Sequence, residues 1–147
     1  MMFDLHNNVM PVRAIPPATL NQAGSPEYLV GTDIDLLGYL SAEVVVDYGA
    51  IDEIGTSPVG SAAINIKLEH SDDGITYTAV VLAEVLGPAS VTGGIVATVT
   101  TDTALSRIGY IGGKRYLQVT LQPVGLTNGG PVGAWVIKGN PRHGPAS

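Results

Sequence analysis

The chain predicts an all-β fold, an antiparallel β-sandwich or closely related barrel of about eight strands, on the strength of three observations. Val, Ile, Thr and Ala dominate the apolar and small residues, and 19 Gly and 10 Pro punctuate them. That mixture favours short strands joined by tight turns over helices. Two segments, Ala62–His70 and Lys114–Gln122, alternate with the period-2 pattern of a half-buried strand. Clusters of Gly, Asp, Ser and Pro then separate the apolar runs at the spacing of a sandwich. With 147 residues the chain is long enough for one domain to bury a core without a covalent or metal staple. It contains no Cys, so a disulfide framework, thiolate chemistry and a zinc–thiolate site are all closed to it.

Taken in order, residues 1–27 predict an extended N-terminal arm. Pro11, Pro16, Pro17 and Pro26 exclude a continuous helix or a central strand, because each removes a backbone donor and fixes φ. Phe3, Leu5, Val9, Met10, Val12, Ile15 and Leu20 are too apolar for a solvated tail. The arm then lies along its own domain or a neighbouring subunit, with an irregular first edge strand as the alternative. The domain proper spans 28–139. Tyr28–Leu36 is its first strand, ended by Leu37-Gly38-Tyr39, and the β-branched run Ala42–Tyr48 is the next. Gly49–Gly60 is a loop. In Ala62–His70, Ile64, Ile66 and Leu68 face the core; Asp72, Asp73 and Gly74 supply the acceptors and the left-handed residue of a hairpin turn, and Ile75–Val81 returns. Leu82–Gly87 predicts one helical turn capped by Gly87. Gly93-Gly94 is read as a pair of hairpin glycines, followed by strands at Ile95–Thr101 and Arg107–Ile111. Gly112-Gly113 is read as a φ > 0 hairpin turn leading into a strand whose Leu117, Val119 and Leu121 face inward. Val132–Lys138 closes the domain, and 140–147 is a C-terminal tail.

Charge is sparse, at 14% of residues, so much of the surface is expected to be covered in an assembly. All 13 acidic residues lie in residues 1–106, beside only Arg13 and Lys67. Residues 107–147 hold Arg107, Lys114, Arg115, Lys138 and Arg142 and no acid. Either late strands pair with early ones and the charges interleave, or the surface is bipolar and meets neighbours head to tail. Scattered basic residues on an acidic protein argue against nucleic acid as a partner. No apolar run approaches the ~20 residues needed to span a bilayer, which argues against a membrane, and Asp4 and His6 stand where a signal peptide would be basic and apolar.

No constellation points to catalysis, a cofactor or a metal. His6, His70 and His143 are scattered, and His70 beside Asp72 and Asp73 falls at a hairpin turn where Asp serves backbone hydrogen bonds. The Asp72-Asp73 pair lacks the alternating carboxylates and distal Glu of a calcium loop. Nucleophile-elbow, phosphate-loop and dinucleotide motifs are missing. Tyr110 and Tyr116, beside glycines, form a candidate sugar-stacking pair, and Trp135 is assigned to the core.

The chain resembles the head decoration, or capsid cement, proteins of tailed bacteriophages. The resemblance runs through Asp4-Leu5, Pro16-Pro17-Ala18, Thr32–Gly38, Ser41–Gly49, Lys67–Gly74, Thr76-Tyr77-Thr78, Gly109–Tyr116 and Gly139–Arg142. It departs in the long 49–61 and 87–95 loops. The resemblance implies a non-enzymatic virion protein made in the host cytoplasm. Such a protein sits on the outer capsid surface as a homotrimer and staples the major capsid protein lattice. The expected contacts with that lattice or with another copy are Phe3, Leu5, Val9, Met10, Val12, Ile15, Pro16, Pro17 and Leu20. Deleting residues 1–20 should then leave a folded domain that binds capsids weakly. The rival readings are a carbohydrate- or receptor-binding β-module on the virion and a head–tail or tail component.

Overall fold

The computed structural model describes residues 4–22, 28–51, 53–54, 62–101 and 104–143. Among these residues eleven strands form two antiparallel sheets packed against each other, and the one helical element is a 3₁₀ turn at Leu82–Glu84. The first sheet runs β1 (Val9–Leu20), β11 (Gly130–Pro141), β4 (Tyr39–Tyr48), β9 (Ala104–Tyr110), β7 (Val85–Leu86). In the second, β10 (Tyr116–Val124) and β5 (Ala63–Ser71) are central; β2 (Leu29–Val30) and β3 (Ile34–Asp35) flank β10, and β6 (Thr78–Ala79) and β8 (Ile95–Val99) flank β5.

The alternating residues identified in the sequence build the core. Ile64, Ile66 and Leu68 of β5 and Leu117, Val119 and Leu121 of β10 are fully buried, and the register sets Val119 beside Leu68 and Leu121 beside Ile66. Across from them the first sheet contributes Val44 and Val46, Ala134 and Val136, and Ile108. Each of the larger side chains contributes about 1.5–3 kcal/mol by leaving water. The opposite face of the second sheet is polar, with Asn65, Lys67, Glu69, Gln118 and Gln122 in one continuous ladder.

Residues 9–20 are β1, an edge strand of the domain, which is the alternative that the sequence left open beside an extended arm. β1 pairs with β11 from Val9–Gly139 to Leu20–Gly130. Its prolines are tolerated because a strand lies on one side only. Register shifts on either side of Ile15 turn consecutive residues inward, so that Ala14 and Ile15 are both buried. Leu20 is buried as well. Ile15 and Leu20 therefore serve this chain's own core and are not available to a neighbour. At the other terminus β11 continues through Pro141, past the predicted start of the tail.

The chain changes sheet at most of its connections. The expected Ser71–Gly74 hairpin forms between β5 and β6, with Gly74 at φ +72°, and Gly93 and Gly94 adopt positive φ at a tight turn bridging Thr92 and Ile95. Gly112-Gly113 does not form a hairpin. β9 lies in the first sheet and β10 in the second, so 111–115 crosses between sheets, and neither glycine has positive φ. Gly112 is required for a different reason: a Cβ there would lie 2.5 Å from the Tyr110 hydroxyl. The Tyr28–Leu36 strand is interrupted, giving β2 and β3.

Candidate functional site: the open end of the sandwich

One end of the sandwich gathers the features that the core and the polar sheet face leave unexplained. In the first sheet it is where β1 begins, β4 begins, β9 ends and β11 ends; in the second it carries Ser71 and Tyr116.

Three short segments shape it. The first is the β3–β4 turn, where Asp35 accepts the Leu37 N–H at 2.9 Å and Gly38 takes φ +88°. This turn leaves Leu37 and Leu40 about two-thirds exposed, at 65% and 66%. The second is the 71–76 turn. Asp73 Oδ1 accepts the Thr76 and Ile75 N–H groups and the Ser71 hydroxyl at 2.7–2.9 Å. Donation from the Thr76 amide, then Ser71 and Ile75, holds the Asp73 carboxyl well below the usual carboxylate range. A Cβ added at Gly74 would lie 3.4 Å from the Tyr116 ring.

The third segment is the crossing 111–115, organised by Tyr110. Its ring is 3% exposed, and its hydroxyl meets His70 Nδ1 at 2.9 Å and accepts the Lys114 N–H at 3.2 Å. Burial raises the tyrosine's pKa above its ordinary value. His70 is itself buried, with Nε2 3.7 Å from Glu84 Oε2. His70 and Tyr110 belong to opposite sheets, so this hydrogen bond ties the two layers together. His70 thus sits in the inter-sheet space rather than in a solvent-facing turn.

The charges interleave. Lys114 pairs with Asp72, Arg107 with Glu43 at 2.5 Å, and Arg115 grips Asp35 through Nε and Nη2 at 3.0 and 2.7 Å. Three of the five late bases thus pair with early acids. The Arg115 guanidinium holds the Asp35 carboxyl below its usual range. Lys138 stands over the Tyr39 ring at 4.4 Å and reaches the Asp35 carbonyl at 3.3 Å; burial pulls its ammonium below the ordinary lysine value. The Arg142 guanidinium has no acidic partner among the described residues.

Between these segments lies a groove of about 390 Å³ lined by residues 36–42 and 110–115, Asp72 and Arg142. Leu5, Leu37, Leu40, Ile75, Val81, Leu82, Leu86 and Ile111 are all exposed at or beside this end; the other large exposed apolar residues, Tyr28, Val30, Leu105 and Val124, lie elsewhere.

Of the expected contact residues, Phe3 lies outside the described residues. Leu5 is exposed at this end, Val9 and Met10 are half-buried, Val12 packs on the core, and Pro16 and Pro17 are exposed farther along β1. Tyr110 and Tyr116 do not form a sugar-stacking pair, because Tyr110 is buried and Tyr116 is covered by Arg115 at 4.8 Å. Trp135 corrects the core assignment. It occupies an outward position of β11 between Ala134 and Val136, both buried, and lies half-buried beneath Arg13 at 5.1 Å. Sequence reasoning missed the groove. Its signal was Leu36-Leu37-Gly38-Tyr39-Leu40, an apolar run with no alternation.

No group of three or more His, Asp and Glu side chains among the described residues is placed to hold a metal ion, and no helix among them is long and apolar enough to cross a membrane. No protein-family model matches the chain, and the search of curated proteins finds no match.

Proposed function

We propose that the chain is a non-enzymatic structural protein of a tailed-bacteriophage particle, which decorates the capsid by docking the open end of its sandwich on the major capsid protein. The observation that carries this reading is the collection of Leu5, Leu37, Leu40, Ile75, Leu86 and Ile111 at one end of a domain whose second sheet presents a polar face. Apolar groups gathered in this way mark interaction surfaces. A contact of modest size would suit a protein used in many copies, where avidity multiplies weak binding. Assembly as a trimer belongs to the same proposal, since copies around a lattice axis present their docking ends together. A glycan-binding module is disfavoured by the burial of Tyr110.

The test is the number of copies per particle in virions of the phage that encodes the chain, measured by quantitative mass spectrometry against the major capsid protein. Decoration requires on the order of hundreds of copies, and Leu37→Asp with Leu40→Asp should abolish occupancy of expanded heads without lowering the melting temperature. A handful of copies would assign the chain to a connector or tail and overturn the proposal, as would full occupancy by the double variant.

A further inference from the structure

We infer that the outer face of the first sheet is a self-association surface, on which a second copy of this chain docks face to face, with Arg13 of each copy on Asp47 of the other. This face is not the open end, so the contact stands or falls independently of how that end is used.

The strand registers assemble the face. Arg13, Trp135, Val45 and Arg107 lie side by side in one row across β1, β11, β4 and β9. Two residues along, Asp47 and Leu105 share the next row, toward the end of the sheet away from the groove; Ile137 and Glu43 share the row on the other side. The residues that alternate with these, Val44, Val46, Ala134 and Val136, are buried, so the three rows point away from the core. The second sheet turns a polar ladder outward. This face instead presents Val45, Trp135 and Ile137, all half-buried, and Leu105, 55% exposed. Apolar side chains gathered on one flat face mark an interaction surface.

The charges on the face select the occupant. Arg107 and Glu43 satisfy each other within the chain at 2.5 Å. Arg13 is exposed and stands over the Trp135 ring at 5.1 Å, with no carboxylate partner among the described residues. Asp47 is exposed, and it is the one carboxylate among the described residues that accepts no hydrogen bond and joins no ion pair. Asp is disfavoured in the middle of a strand, and its cross-strand neighbours here, Gly133 and Leu105, offer it no donor side chain. Within one chain Arg13 and Asp47 are two strands and two residues apart, about 12 Å between Cα atoms.

One face therefore carries an unmatched cation and an unmatched carboxylate on either side of β11. Such a pattern is complementary to itself. Turned about a two-fold axis lying over β11, it sets Arg13 on Asp47 twice and encloses the apolar row between the two ion pairs. The patch spans about 19 Å by 17 Å, about 300 Å², well under the roughly 800 Å² per partner of a standard interface. The dimer is accordingly weak, with a Kd on the order of 10–100 µM.

The experiment uses the full chain. Sedimentation velocity from about 5 µM to about 1 mM should show monomer passing to dimer. Trp135, the one Trp of the chain, should shift its fluorescence to the blue over the same range. Arg13→Asp and Asp47→Arg each bring like charges together at both contacts, and each should weaken association at least about tenfold with the melting temperature unchanged. Arg13→Gln and Asp47→Asn should weaken it less and reduce its dependence on salt. Mixing the two charge-reversed variants is the decisive arm. In the mixed pair each contact again joins opposite charges, so association should return to within about threefold of wild type. No change inside a single chain produces that rescue. The inference is overturned if wild type stays monomeric at about 1 mM, if either reversal leaves association unchanged, or if the mixture associates no better than its parts.

Discussion

Replacing Tyr110 with Phe removes one oxygen and keeps the ring, so it isolates the hydrogen bond that joins the two sheets. The hydroxyl lies 2.9 Å from His70 Nδ1 and accepts the Lys114 N–H at 3.2 Å. Without it, His70 Nδ1 loses its partner in a side chain that is 4% exposed, and the crossing between sheets loses a backbone anchor. An unsatisfied buried polar group costs about 1–3 kcal/mol. The Lys114 amide is only partly buried and can turn to water, so the sum should be about 2–3 kcal/mol. For a chain of this length each kcal/mol shifts the melting temperature by about 3 °C, predicting a fall of about 6–9 °C. Differential scanning calorimetry of wild type and Tyr110→Phe measures it, with circular dichroism confirming an unchanged β spectrum. A double-mutant cycle sharpens the test. Gly112→Ala should destabilise the wild type strongly, because its Cβ would meet the Tyr110 ring at 2.5–2.6 Å, and much less in a Tyr110→Ala background. A melting temperature within about 1 °C of wild type for Tyr110→Phe, or additive effects in the cycle, would refute the reasoning.

Two further outcomes follow from the same geometry. Asp73 has a depressed folded-state pKa, caused first by the Thr76 amide and then by Ser71 and Ile75. Its contribution is therefore present above the ordinary carboxylate pKa and lost as pH falls below it. Thermal melts between about pH 5 and about pH 3 should show wild type losing more stability than Asp73→Asn, and parallel curves would exclude this role. Deleting residues 1–20 should abolish cooperative unfolding, because it removes β1 and takes Ile15 and Leu20 out of the core, whereas deleting residues 1–8 should leave a folded domain; urea denaturation separates the two.

The amino-acid sequence by itself determined the fold class and the faces of the strands. Alternation is local and has a period of two, so Ile64, Ile66, Leu68, Leu117, Val119 and Leu121 could be assigned to the core before any pairing was known. The 71–74 turn and Gly93-Gly94 were legible for the same reason, since a turn satisfies its hydrogen bonds within a few residues. Only the tertiary structure decided which strands are neighbours. Alternation shows which way a side chain points but not which strand lies beside it, and that is why 109–119 looked like a hairpin and proved to be a crossing between sheets. The same limit left residues 9–20 open between an arm and an edge strand: their prolines argue against a central strand, but only β11 beside them shows that they form an edge. Trp135 was misassigned because its class favours burial, while its parity relative to Ala134 and Val136 points it outward. The groove is a product of tertiary structure throughout. It exists because β4 outruns β9 and because residues near 40, 111 and 142 meet at one end, a coincidence of distant segments that no local pattern encodes.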